Sequence, residues 1–283
     1  AQLGGSFMEL VESVDRHWSS YSAVQKTAVA DMLALYPLST GGWGVQNAHH
    51  HDGVVWKSWN GTWENGGHYY LTSDYTLGTT ITVPAGQTLT ICLNGYQFEG
   101  KCVRMFKVNG TLNIHDHRLQ DGSYKGKLVS TYTSPTMAPV FYVYENGVMN
   151  VSGGNLCYEG TGVMTRGGVG MVGSQDTGDD SNTAEDPAYF NMYYGNIYGG
   201  NVKAIVVNGA VSGGHQGVGG NLDLVNHGVA TLYRGTVTGG TATPVEASGR
   251  NGMGGNICMS GSTILNLYDV NITDGNSGVY VIS

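Results

Sequence analysis

One short pattern recurs through the second half of the chain and limits what the chain can fold into. Five segments align directly: LNIHDHRLQDG ending at Gly122, MNVSGGNLCYEG at Gly160, FNMYYGNIYGG at Gly200, TLYRGTVTGG at Gly240 and LNLYDVNITDG at Gly275. LTICLNGYQFEG, ending at Gly100, is a degenerate earlier copy, and VGGNLDLVNHG (218–228) and MGGNICMSGS (253–262) precede the last two copies. The copies end 22, 38, 40, 40 and 35 residues apart. Each reads as a strand, one or two corner residues, a second short strand and a glycine corner. Alternation puts Leu112 with Ile114, Phe190 with Met192, and Leu265 with Leu267 on one side of their strands. A strand this short cannot bury that side alone, but equivalent strands stacked from successive coils can. The corners need residues that tolerate positive φ, and Gly or Asn recurs there. Propeller blades also repeat at about 40 residues, but they need four antiparallel strands of even length. The pattern therefore predicts an all-β fold, a right-handed single-stranded parallel β-helix over 69–283. Its six or seven coils would be spaced by roughly 4.8 Å.

Two other regions precede it. Residues 1–40 read as an N-terminal α-helical cap: Phe7, Leu10, Val11 and Val14 keep helical spacing, Ser6 and Glu9 have the form of a capping box, and Pro37 ends the run. Residues 41–68 form a lead-in that holds four of the five Trp and four of the nine His.

The segment GGHYYLTSDYTLGTTITVPAGQTLTICLNGYQFEG, with VNGTLNIHD after it, resembles the β-helical, pectate-lyase-like secreted and surface proteins of Gram-positive anaerobic bacteria. The matching pieces are Tyr69–Asp74, Ile91–Gly95, Gly219–Leu222, Gly235–Gly240 and Gly254–Ile257. The resemblance implies the fold and a secreted or cell-surface setting, and carries no activity. The helical N-terminus departs from it. The chain opens at Ala1 and not on a Met, which reads as a mature secreted chain whose signal peptide was removed before Ala1.

Composition narrows the partners. Only 12% of residues are charged and the formal net charge is -8, the opposite of a nucleic-acid binder. No apolar run reaches membrane-spanning length. The four Cys (92, 102, 157 and 258) fit no metal spacing, although Cys92 and Cys102 are near enough in sequence to pair across one turn.

Candidate sites follow from residue type. Trp43, Trp56, Trp59 and Trp63 could present flat faces to sugar rings, or could seal the first coil. The insertion SQDTGDDSNTAEDP gathers Asp176, Asp179, Asp180, Glu185 and Asp186, oxygen donors suited to calcium, though not in EF-hand order. His49, His50 and His51 have the composition of a metal tract, with His68 or Asp52 as a further ligand. A polysaccharide lyase or glycoside hydrolase is the alternative reading, since such enzymes share this architecture, but fold does not supply chemistry. Arg166, Arg234 and Arg250 could serve as a base, yet no acids repeat at matching coil positions. The C-terminal strand carries Val279, Val281 and Ile282, and an open coil of this kind invites pairing. The expectation is an extracellular structural or adhesive protein, without catalysis, that associates end to end with copies of itself into a filament or surface layer. Glycan binding is a further possibility, and calcium is the one cofactor to test. An enzyme should bring acids and a base together in a groove, whereas a scaffold should show ladders of Asn, Thr and Tyr.

Overall fold

Short alternating strands separated by glycine corners do stack in parallel, coil upon coil. The computed structural model describes residues 50–282 except 52–53, 117–122, 163, 174–185, 208–209, 245–252 and 277. The helical cap expected over 1–40 lies outside these residues, and no helix occurs among those described.

A hairpin, β1 (His50–His51) and β2 (Val54–Ser58), leads into seven coils. The first holds β3 (Gly67–Tyr70), β4 (Tyr75–Leu77) and β5 (Ile81–Val83); the second holds β6 (Thr88–Cys92), β7 (Gln97–Gly100) and β8 (Phe106–Val108). The third holds β9 (Thr111–His115), β10 (Lys127–Ser130) and β11 (Phe141–Val143), and the fourth β12 (Val148–Tyr158) and β13 (Gly170–Val172). The fifth runs through β14 (Ala188–Tyr198), β15 (Asn201–Val207), β16 (Ala210–Gln216) and β17 (Leu222–Val225). The sixth holds β18 (Gly228–Thr238), β19 (Thr241–Thr243) and β20 (Ile257–Ser260), and the last β21 (Ile264–Thr273) and β22 (Val279–Ile282). Among the described strands only β1·β2 and β15·β16 pair antiparallel.

The pairings make a curled parallel sheet. One twelve-stranded sheet runs along the molecule, and a seven-stranded sheet, β5-β8-β11-β13-β17-β20-β22, forms another side. In the first three coils the large sheet has two separate arms, for example β6 and β7. From β12 onward each pair of arms is one continuous bent strand, so β12 pairs with both β9 and β10. The sequence pattern predicts two strands there. The difference lies in the corner: β6 and β7 are separated by a Leu93–Tyr96 turn, with Asn94 and Gly95 at φ of 51° and 76°. Later coils bend at Gly153–Gly154, Gly195 and Gly235, all at positive φ, where the pairing of β12 with β14 and of β14 with β18 skips and then resumes beyond the bend.

Register explains the core. Leu89, Leu112, Met149, Phe190, Ala230 and Leu265 form one inward row, and Ile91, Ile114, Val151, Met192, Leu232 and Leu267 the next. All but Leu265 and Leu267 are fully buried; those two stand on the last coil, with no described strand beyond it. Phe141 stacks on Phe190 at 4.9 Å. Trp59 plugs the first coil, its ring edge-on to Tyr69, Tyr75 and Phe98 at 5.4–5.9 Å.

Two buried asparagines tie the corners. Asn221 Oδ1 accepts the Gly200 N–H, and its Nδ2 donates to Thr238 O and to Asn256 Oδ1. Asn256 repeats the motif one coil on, accepting from Gly240 N and donating to Thr273 O. The preceding glycines are required by space: a Cβ on Gly220 would fall onto the carbonyl oxygen of Gly255. Asp116, also buried, accepts the N–H groups of Gly95 (2.7 Å) and Gly126 (2.6 Å) at another corner.

Candidate functional site

The positions between the inward rows point to the other face of the bent strands. They form a ladder in register: Thr90, Asn113, Asn150, Asn191, Thr231, Asn266. Asn113 donates to Thr90 Oγ1 (3.1 Å), Asn150 to Asn113 Oδ1 (2.9 Å), Asn191 to Asn150 Oδ1 (3.0 Å) and Asn266 to Thr231 Oγ1 (3.3 Å). A second ladder lies past the bend. There Asn196 donates to Asn155 Oδ1 (2.9 Å) and Thr236 to Asn196 Oδ1 (2.7 Å), with Asn271 next in register. Tyr193, Tyr233 and Tyr268 stack at 5.0 and 5.1 Å with their rings nearly parallel, between the two ladders. Asn113, Asn150, Asn155, Asn191, Asn196 and Asn266 all donate toward the preceding coil, so the rows have a direction.

The Trp and His segment lies at the other end. Trp59 is buried in the core, while Trp56 and Trp63 are partly exposed. Trp56 sits edge-on to His68 (5.3 Å) and to His115 (5.0 Å). Burial pushes the His68 imidazole below its ordinary value, offset in part by a backbone hydrogen bond at Gly66. Lys57 and Glu64 pair at the surface. Among the described residues a sugar platform here would fall to Trp56 and Trp63. Trp43, His49 and Asp52 lie outside the described residues, as do the side chains of His50 and His51.

The remaining ionisable groups are mostly engaged with one another. Arg166 Nε donates to Asp223 Oδ2 at 2.7 Å, both side chains buried, while Asp223 Oδ1 has no hydrogen-bond partner. Burial raises the Asp223 carboxyl, opposed by the Arg166 charge and hydrogen bond. Arg234 pairs with Asp269 (3.3 Å) and lies over the Tyr194 ring, and Arg250 lies outside the described residues. Glu99 accepts from Thr131 and pairs with Lys101. Asp176, Asp179, Asp180 and Glu185 lie outside the described residues; Asp186 accepts from Asn146 Nδ2 at 2.6 Å. Among the described residues no three His, Cys, Asp or Glu side chains are placed to share a metal ion. No helix there is long and apolar enough to cross a membrane.

All four cysteines are buried thiols, so Cys92 and Cys102 do not bridge. Burial pushes Cys157 and Cys258 up to about 12, which leaves little nucleophilic thiolate at neutral pH.

The final coil is the exposed one. Ile264 is 53% exposed, Leu267 41% and Val281 63%, with Tyr268, Val279 and Tyr280 also open. Among the described strands β21 pairs with β18 and β22 with β20. The side chain of Ile282 lies outside the described residues. The sequence reading expected ladders of Asn, Thr and Tyr on a scaffold but not the buried Asn221–Asn256 pair, for which the repeated GGN triplet was the local signal. No family model, curated protein or solved structure matches this chain.

Proposed function

We propose that the protein is a structural or adhesive extracellular scaffold, a right-handed parallel β-helix that associates with copies of itself through its last coil. The observation that carries this reading is the content of the outward face: amides, hydroxyls and phenol rings aligned from coil to coil, with no described convergence of acids around a base. Such ladders rigidify a rod and satisfy their own polar groups. The exposed apolar edge of β21 and β22 supplies the contact. Right-handedness follows from the strong preference of parallel crossovers for that hand. The extracellular setting follows from the resemblance of the YYLT and LNG segments to secreted surface proteins.

Electron microscopy and light scattering of the purified protein test the reading. Concentration-dependent assembly supports it, and a monodisperse monomer at high concentration removes it. A second reading, glycan binding, is favoured by the partly exposed Trp56 and Trp63. A glycan array on the wild type and on Trp63→Ala separates the two, since a scaffold gives no Trp63-dependent signal. Calcium at the 174–187 insertion is tested by melting with calcium and with chelator, where an unchanged midpoint argues against it.

A further inference from the structure

An asparagine followed by glycine can react with its own main chain, because the glycine puts no Cβ between its N–H and the side-chain amide. Five such pairs lie among the described residues: Asn60 with Gly61, Asn65 with Gly66, Asn94 with Gly95, Asn109 with Gly110 and Asn146 with Gly147. The fold protects four of them. Gly66 N donates to Thr88 O (2.8 Å), Gly95 N to Asp116 Oδ1 (2.7 Å), Gly110 N to Val83 O (2.9 Å) and Gly147 N to Tyr144 O (2.9 Å). Their asparagine side chains are held as well. Asn65 Oδ1 accepts from Thr88 N, and the amides of Asn94, Asn109 and Asn146 donate to Leu71 O, Glu145 O and Asp186 Oδ1.

Asn60 differs at each point. It follows Trp59 in the segment between β2 and β3, and Asn60, Gly61 and Thr62 are all exposed among the described residues. Nothing described accepts from the Gly61 N–H or from Asn60 Nδ2. Instead Asn60 Oδ1 accepts two hydrogen bonds from one residue, from Thr62 N at 3.0 Å and from Thr62 Oγ1 at 2.8 Å. Both donors point at the oxygen on which negative charge gathers when the amide carbon is attacked. The glycine is itself required by the fold: its φ is 93°, and a Cβ there would fall on the Tyr75 hydroxyl.

We infer that Asn60 is a self-modification site, where the folded chain converts its own amide to a carboxylate. The Gly61 nitrogen, losing its proton to hydroxide, bonds to Asn60 Cγ, and the carbonyl electron pair moves onto Oδ1 between the two Thr62 donors. When that pair returns, the Cγ–Nδ2 bond breaks, and Nδ2 takes a proton from water and leaves as ammonia. One water then opens the imide ring. Breaking the bond from Gly61 N to Cγ leaves aspartate. Breaking the bond from that nitrogen to the Asn60 main-chain carbonyl carbon leaves isoaspartate, with one more methylene in the main chain beside Trp59, whose N–H is bonded to Tyr70 O.

The test incubates the full chain at mildly alkaline pH, folded and in urea, and follows the five pairs by proteolysis and mass spectrometry, which reads the exchange of amide for acid. In the folded protein Asn60 should convert at least about tenfold faster than Asn65, Asn94, Asn109 or Asn146, whose hydrogen bonds must first break. In urea the five rates should converge. Thr62→Val removes the hydroxyl donor and should slow Asn60 by about fivefold, the worth of one hydrogen bond. Thr62→Ser should keep the wild-type rate, and circular dichroism checks that both variants fold. Conversion of Asn60 no faster than that of the other four in the folded chain would overturn the site. Faster conversion in Thr62→Val would mean that the two bonds clamp the amide, and would overturn the activation assigned to Thr62.

Discussion

A single buried carboxylate shows how much one side chain can decide in this fold. Asp116 holds two corner N–H groups through its two oxygens, and Gly126 leaves room for it. Asp116→Ala would leave both donors without an acceptor and should cost about 3 kcal/mol, whereas Asp116→Asn keeps one acceptor and should cost about half as much; urea denaturation reads both. The buried thiols make a second prediction. Cys157 and Cys258 have an ordinary value of 9.0 and sit near 12 in the fold, chiefly through loss of solvation. A raised value means the folded protein holds the proton where the unfolded chain releases it. Their contribution to stability is therefore complete below pH 9 and is lost as pH rises from 9 toward 12. The urea midpoint should fall over that window, and less steeply in a Cys157→Ala, Cys258→Ala variant. Thiol reagents at pH 8 should react only after unfolding.

At the scale of the element, the corner is the unit. Gly220 and Gly239 are both corner glycines, but for different reasons. At Gly220 the neighbouring Gly255 carbonyl occupies the space of a side chain. At Gly239 the space is open and only the positive φ of 66° demands glycine. Gly239→Ala should therefore cost about 1–2 kcal/mol, while Gly220→Ala should cost more than 3 kcal/mol or prevent folding, as measured by thermal melts. The alternation of Leu112 with Ile114 and of Phe190 with Met192 was legible in sequence because each strand carries its own period. The fusion of two arms into one bent strand from β12 onward was not. Whether Gly153, Gly195 and Gly235 break a strand or merely bend it depends on the neighbouring coils that hold the ladder together across them.

Across the described strands the parallel pairing joins each coil to the next, so stability accumulates along the stack and the ends matter most. Trp59 closes one end, touching Tyr69, Tyr75 and Phe98. Trp59→Ala should lose about 3–5 kcal/mol and expose β3 to β5 first. Hydrogen exchange should then show early loss of protection in the first coil while β14 and β18 remain protected. Trp59→Phe should retain most of the protection. At the opposite end Leu267 is 41% exposed although Ile114 and Met192 in the same row are buried.

The chain's own order of residues determined that strands would be short, that their faces would alternate and that bends would recur at glycine; these are local properties, carried by backbone conformation and by a period of two. Residues about 35 to 40 positions apart had to be set side by side before anything else could be decided. Only that stacking made Asn221 and Asn256 buried ties, made Asn150 and Asn191 rungs of an outer ladder, and drew Trp59 inward from its neighbour Trp56. A side chain's partners in a stacked fold are the residues of the next coil. Register and coil length choose those residues, and neither is written in the segment itself.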